Sequence, residues 1–295
     1  MASGNASLRV ACEIGVDRIV AGRAAQNGGR LEVCTSRRLP SGTLAPGLLS
    51  ANVLNRDALR QSIEGALSTV AGASKDVIAI LPDSAVRVLL LDFDTLPEKP
   101  ADAAAIVRFR LKKSLPFDVD HAALSYHVGS TNGNVKVVAA VSPHEIVSEY
   151  ETAFRDAGYS PGVVMPSILA TLGLVQADRP TMVVKVDGLS TTVAIVDRQE
   201  LVLLRTLDHP NRSGLNPREL TENVYPSITF FEDTYSSKIE LLQLTGMADM
   251  EGVSSVLQSE TGVRTEDLST GGTSESLGES VPEGVLAGVA GALLG

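Results

Sequence analysis

Apolar and other residues alternate from the start of the chain, with Leu8, Val10, Cys12 and Ile14 on one parity and Arg9, Ala11 and Glu13 on the other. A period of two predicts a strand with one strongly apolar face, ended by Gly15. The apolar run Arg18 to Ala24 follows, then the Asn27-Gly28-Gly29 turn and a third strand, Leu31 to Leu39. The period then changes. Leu59, Ile63, Ala66, Leu67 and Val70 recur at helical spacing, with Asn55 or Asp57 as the cap and Gly72 at the exit. Val77 to Leu81 returns as a short, wholly apolar strand.

The same order comes back later in the chain. Met182 to Val186, Thr192 to Val196 and Leu201 to Thr206 read as three strands, with the polar turn Asp197 to Glu200 between the last two. A helix over Pro217 to Tyr235, a strand over Ile239 to Leu244 and a helix through Val253, Val256 and Leu257 that exits at Gly262 complete the series. Three meandering strands, a helix and a further strand, twice over, imply two similar α/β lobes. The repeat is one of pattern and not of residues.

Between the repeats the character differs. Val86 to Phe93 predicts a strand, and Pro97 and Pro100 introduce a helix that runs to Ser114 and stops before Pro116. Ala123 to Val128 and Val135 to Val141 form a hairpin across Thr131-Asn132-Gly133-Asn134. Ser142-Pro143-His144-Glu145 has the Ser-x-x-Glu spacing of a capping box, and Ile146, Tyr150, Ala153, Phe154 and Ala157 mark the buried stripe of the helix it starts. Residues 84–160 thus read as a strand-helix-strand-strand-helix module inserted into the first lobe. Ser269 to Glu283, rich in Ser, Gly, Thr and Glu, reads as a mobile loop leading to a last helix, Val285 to Leu294, on the second lobe.

Composition narrows the function classes. The chain has 295 residues, 44% of them apolar, enough for about two packed domains. Its formal net charge of −10 argues against a binder that relies on broad phosphate attraction, and 11 Phe plus Tyr with no Trp give little for base stacking. Cys12 and Cys34 are too few for a disulfide framework or a thiolate metal cage. The four histidines, His121, His127, His144 and His209, lack paired ligand spacing, so no metal site is assigned. No Gly-x-Ser-x-Gly elbow occurs, and no catalytic residue is assigned. No basic-then-apolar leader opens the chain, and no run reaches roughly 18 apolar residues, which predicts neither secretion nor a membrane span. Arg108, Arg110, Lys112 and Lys113 place four bases within one helix segment, read as a solvated face or as a contact for acidic lipid or an acidic partner.

Candidate chemistry lies in the turns that open the two repeats. Glu13-Ile14-Gly15-Val16-Asp17-Arg18 and Asp187-Gly188-Leu189-Ser190-Thr191-Thr192 each offer backbone N–H groups, and two such turns face to face would clasp the phosphates of a nucleotide. A glycine between two strands is also an ordinary turn residue, so spacing alone decides nothing.

The order of elements, the paired glycine turns and Leu242-Gln243-Leu244-Thr245-Gly246 resemble the actin-like (ribonuclease H-like) ATPase fold. Phe109 to Tyr126, reading FRLKKSLPFDVDHAALSY, is similar to the helix, Pro-Phe and strand stretch of the PilM family of type IV pilus assembly proteins. Val137 to Pro161, VVAAVSPHEIVSEYETAFRDAGYSP, and the final VPEGVLAGVAGALLG resemble the same family, over most of residues 8–295. The cytoplasmic portion of the type II secretion protein GspL is a related, weaker match. The resemblance implies an α/β, two-lobed actin-like fold with a small inserted α+β subdomain: a disordered tail at 1–7, a first lobe at 8–83 and 161–180, the insert at 84–160, and a second lobe at 181–295 with the mobile loop 269–283.

The resemblance also implies a nucleotide cleft built from Glu13, Gly15, Asp187, Gly188, Thr191 and Gly246, and there the chain departs from the family. Both family turns carry Asp-x-Gly, whose carboxylates orient magnesium-bound water while the glycine lets backbone approach. Here Glu13 replaces the first Asp. At the second turn, aligning Gly188 and Thr191-Thr192 puts Val186 in the acidic position and Asp187 one residue late, on the opposite face. The paired glycines on the adenosine side are replaced by Gly246-Met247. The expectation is a pseudo-ATPase that keeps the fold and loses most or all of its magnesium-ATP chemistry. No cofactor is assigned with certainty, and ATP with magnesium stays open under the alternative of a nucleotide switch. As in the family, the expected role is a cytoplasmic adaptor at the inner membrane, held there through a partner. That partner is the cytoplasmic tail of a PilN-like protein, bound in a groove between first lobe and insert, with the pilus motor ATPase as a further candidate and no nucleic acid.

Overall fold

A computed structural model describes residues 8–131, 134–209, 216–247, 251–270, 275–277 and 281–295. The expected tail at 1–7 and the centre of the hairpin turn, Asn132-Gly133, lie outside these residues. The opening meander is β1 (Val10–Ile14), β2 (Arg18–Ala24) and β3 (Leu31–Arg38), each antiparallel to the next. Asn55 caps α1 (Arg56–Val70) by accepting from the Ala58 N–H, and the predicted stripe Leu59, Ile63, Ala66, Leu67 and Val70 is buried. The chain then returns to the sheet as β4 (Asp76–Leu81), parallel to β1.

A short 3₁₀ turn, Asp83–Ala85, leads into the insert, where β5 (Arg87–Phe93), β6 (Ala123–Thr131) and β7 (Asn134–Ser142) form a sheet of order β5-β7-β6. Val107 and Leu111 of α2 (Pro100–Leu111) close its small core against Val137, Ala139 and Val141. The next helix, α3 (His144–Asp156), does not stay with the insert. Its Ile146, Tyr150, Ala153 and Phe154 join the core of α1, and it packs beside α1, β4 and β8 (Ser160–Pro166). The capping box foreseen for α3 is absent, because the Ser142 hydroxyl donates to the Ala85 carbonyl at 2.7 Å instead. Glu149 of α3 accepts the N–H groups of Asn52 and Val53 and so pins the loop that precedes α1.

After α4 (Ser167–Leu172) the second meander begins: β9 (Thr181–Val186), β10 (Ser190–Asp197) and β11 (Glu200–Asp208). Asn216 and Glu219 make the reciprocal capping box of α5 (Pro217–Tyr235). The strand β12 (Leu241–Thr245) lies parallel to β9, α6 (Glu251–Thr261) follows, and β13 (Thr265–Asp267) completes a sheet of order β11-β10-β9-β12-β13. Both lobes therefore share one topology, a meander whose first strand takes a parallel partner after a helix.

The chain then turns back to the first lobe. Within the segment expected to be a mobile loop, Thr270 is buried and donates to Glu283, and β14 (Glu275–Ser276) pairs parallel with β3. Residues 271–274 and 278–280 lie outside the described residues. The last helix, α7 (Ala287–Leu294), was expected on the second lobe but packs on the first. Val285, Leu286, Val289 and Ala290 fill a core with Ala11, Val20, Ile78 and Ile80 beneath the sheet of order β14-β3-β2-β1-β4-β8, beside α4. The physical reason is the all-round apolar, small-residue character of α7, which suits a slot walled on both sides and needs no polar face. Ile168 of α4 and Ala287 also meet Val183, Ala194 and Val196, so α4 and α7 form the layer between the two lobes.

Candidate functional site

The turns after β1 and β9 face each other across a cleft of about 220 Å³. Glu13, Gly15, Asp187, Gly188 and Gly246 all line it. Thr191 does not. Its hydroxyl is buried against the His209 ring, 2.9 Å from Nε2. Val186 packs its side chain into the second-lobe core, and the residue that β9 turns toward the first lobe is Lys185.

Strand register explains this. Lys185 sits beside Thr192 of β10 and Thr245 of β12, in a row of polar side chains across the sheet. The row leads out of the lobe: the Thr245 hydroxyl donates to the Gly284 carbonyl at 2.9 Å, and the Thr192 hydroxyl bonds the Asp83 carboxylate. The Lys185 ammonium lies 3.4 Å from Glu13 Oε1 in a pair whose side chains are 7% and 11% exposed. The Ser167 hydroxyl donates to the same oxygen, while Glu13 Oε2 is buried with no hydrogen-bond partner among the described residues. Gly288 supports this packing by having no side chain, since a Cβ there would stand 2.2 Å from Glu13 Oε2.

Asp83 is the second buried carboxylate. It accepts the Ile168 N–H at 2.7 Å, and burial pushes its carboxyl up to about 6, against the pull of Lys185 and of that N–H. Burial alone would lower the Lys185 ammonium. The charge of Glu13, then of Asp83 and Asp187, overcomes it and holds the ammonium above its ordinary range. Lys185 is thus a protonated cation between the lobes.

The donors expected to hold phosphate are engaged within the chain. One Asp187 oxygen accepts the Leu189 N–H at 2.7 Å and the Ser190 N–H at 2.8 Å, and the other takes the Ser190 hydroxyl. The Gly15 N–H closes its own turn onto the Arg18 carbonyl, and the Gly246 N–H donates to the Gly284 carbonyl at 2.7 Å. Gly246 needs its glycine: its φ is +93°, and a Cβ would stand 2.0 Å from the Val186 carbonyl oxygen. No three His, Cys, Asp or Glu side chains converge as metal ligands among the described residues.

Sequence reasoning missed Lys185, Asp83 and Ser167. A signal for Lys185 existed, since a lone lysine in the apolar run Met182 to Val186 is out of place in a central strand. Asp83 and Ser167 meet the site only through tertiary structure. Of the four bases near α2, Arg108 donates to the Val119 and Ala122 carbonyls and Lys112 pairs with Asp120, so half of that cluster is structural. A second groove, of about 250 Å³, runs between Pro46 to Leu49 of the first lobe, Arg87 and Pro116 of the insert, and Asp208 and His209 of the second lobe.

No protein-family model and no curated protein matches the sequence. Solved structures do match. The chain is similar to the structure titled "PilM-PilN type IV pilus biogenesis complex", at 21% identity and a TM-score of 0.82, with 98% of each chain covered. It is also similar to the cytoplasmic domain of EpsL, an inner membrane component of the type II secretion system of Vibrio cholerae. That match has 12% identity and a TM-score of 0.54 over 96% of this chain and 94% of that one. A third similar structure is the ethanolamine utilization protein EutJ from Carboxydothermus hydrogenoformans, at 12% identity and a TM-score of 0.53, covering 97% and 89%. The duplicated lobes, the facing turns and these likenesses together identify the fold as the two-lobed actin-like ATPase fold, carrying a PilM-like inserted subdomain.

Proposed function

We propose that this protein is a non-hydrolysing adaptor of type IV pilus assembly that binds the cytoplasmic tail of a PilN-like inner-membrane protein. One observation carries the reading: the chain keeps a PilM-like fold over 98% of its length while its own charged side chains pair with one another, or with its own N–H groups, along the cleft where magnesium and phosphate would bind. The residues present do not fit that ligand. The Lys185 ammonium lines the cleft beside Glu13, and a cation there repels magnesium. Conservation of the fold without the chemistry suits a docking platform. No helix among the described residues is long and apolar enough to cross a membrane, so on this reading the partner supplies the contact with the inner membrane.

The tail would lie in the groove between Leu48-Leu49, Arg87 and Pro116, where Leu49 is 74% exposed. An extended peptide there would gain apolar contact with Leu49 and a polar anchor at Arg87. Fluorescence anisotropy with a labelled PilN-like N-terminal peptide tests this. Binding is expected to weaken at least tenfold in Leu49→Asp and to be unchanged by magnesium and ATP. Absence of binding, or binding that requires ATP, overturns the reading. The type II secretion reading rests on the lesser likeness to EpsL, and a GspL-type partner tail in the same assay would favour it.

A further inference from the structure

We propose that the Lys185 ammonium is a built-in counter-ion that takes the place of a divalent cation and holds the two lobes closed. The inference rests on the reading of the cleft as one that takes no nucleotide. The Lys185 ammonium lies 3.4 Å from Glu13 Oε1 of the first lobe, and the charges of Asp83 from that lobe and Asp187 from its own also act on it. The ammonium therefore bridges like-charged groups that would otherwise repel each other across the cleft. The carboxylates have further partners within the chain. The Ser167 hydroxyl meets Glu13, Thr192 meets Asp83, and the Ile168 N–H meets Asp83.

Asp187 plays the matching part at the second turn. Its carboxylate accepts two consecutive N–H groups, the kind of nest that binds a phosphate oxygen. The cleft thus carries an internal cation and an internal anion from adjacent stretches of one strand end. The contacts that join the lobes at this point are made by groups of the chain itself. Around it, the Gly284 carbonyl accepts from Thr245 and Gly246, so the C-terminal segment straps the second lobe to the helix layer of the first.

The test uses the full chain and Lys185→Ala, melted at pH 8 with and without 10 mM magnesium chloride, against sodium chloride of equal ionic strength. Removing one partner of a buried pair is expected to lower the melting temperature by about 6–10 °C. Magnesium, entering with its water shell into the place of the ammonium, is expected to restore about 3 °C or more in the variant only. Amide exchange at Gly246 should quicken in the variant and slow again with magnesium. Loss of stability without selective rescue by magnesium overturns the inference. If Lys185→Ala does not fold, the double variant Lys185→Ala with Glu13→Gln must fold and show no rescue. A double variant no more stable than the single one also overturns it. Stabilisation of the unaltered chain by magnesium with ATP would instead overturn the reading of the cleft, whatever Lys185 does.

Discussion

Replacing Asp83 by Asn removes a buried charge and keeps the shape and the acceptor that holds the Ile168 N–H. The structure gives the size of the effect. The Asp83 carboxyl titrates at about 6 in the fold against an ordinary 3.8, because burial disfavours its ionised form. Its folded pKa is raised, so its favourable contribution is complete below pH 3.8 and is lost as pH rises through 6. A shift of about 2 units at 1.36 kcal/mol each amounts to about 3 kcal/mol at pH 7 and above. Asn cannot ionise and escapes that loss, while Lys185 keeps Glu13 and Asp187 as partners. Urea unfolding from pH 4 to 8 reads the difference. Asp83→Asn should match the unaltered chain near pH 4 and exceed it by about 3 kcal/mol at pH 8. A variant weaker by the same amount at both ends would refute the reasoning, since it would make Asp83 a structural acceptor whose charge costs nothing.

Gly246→Ala forces a Cβ to within 2.0 Å of the Val186 backbone at a φ of +93°, with no flexible side chain to yield. It should destabilise by on the order of 3 kcal/mol or more, read as lost soluble yield and a lower melting temperature. Glu149→Ala takes the acceptor from the N–H of buried Asn52 and from that of half-buried Val53. Each costs about 1–3 kcal/mol, and limited proteolysis near Leu49 should quicken before the whole chain unfolds.

The elements were legible wherever local periodicity and burial coincide. The stripe of α1, the strands of both meanders, and α5 from its Pro217 start all follow from spacing that the core then fills. What failed depends on contacts distant in sequence. Ser142 has the spacing of a cap, yet its hydroxyl serves Ala85 in the 3₁₀ turn that precedes the insert. The α7 pattern announces burial without naming the surface that buries it, and Ser and Gly in the segment before it do not disclose the pairing of β14 with β3. At the site, Glu13, Gly15, Asp187, Gly188 and Gly246 were recognisable from their turns. Aligning on Gly188 points to Val186, whereas strand parity turns Lys185 toward Glu13.

If side chains of the chain itself stand in the cation and phosphate positions of its cleft, no place is left there for a nucleotide. Calorimetric titration of the unaltered protein with ATP and magnesium tests it most directly. No saturable heat is expected up to millimolar nucleotide. Micromolar binding that disappears on substituting Gly15 or Gly188 would contradict it.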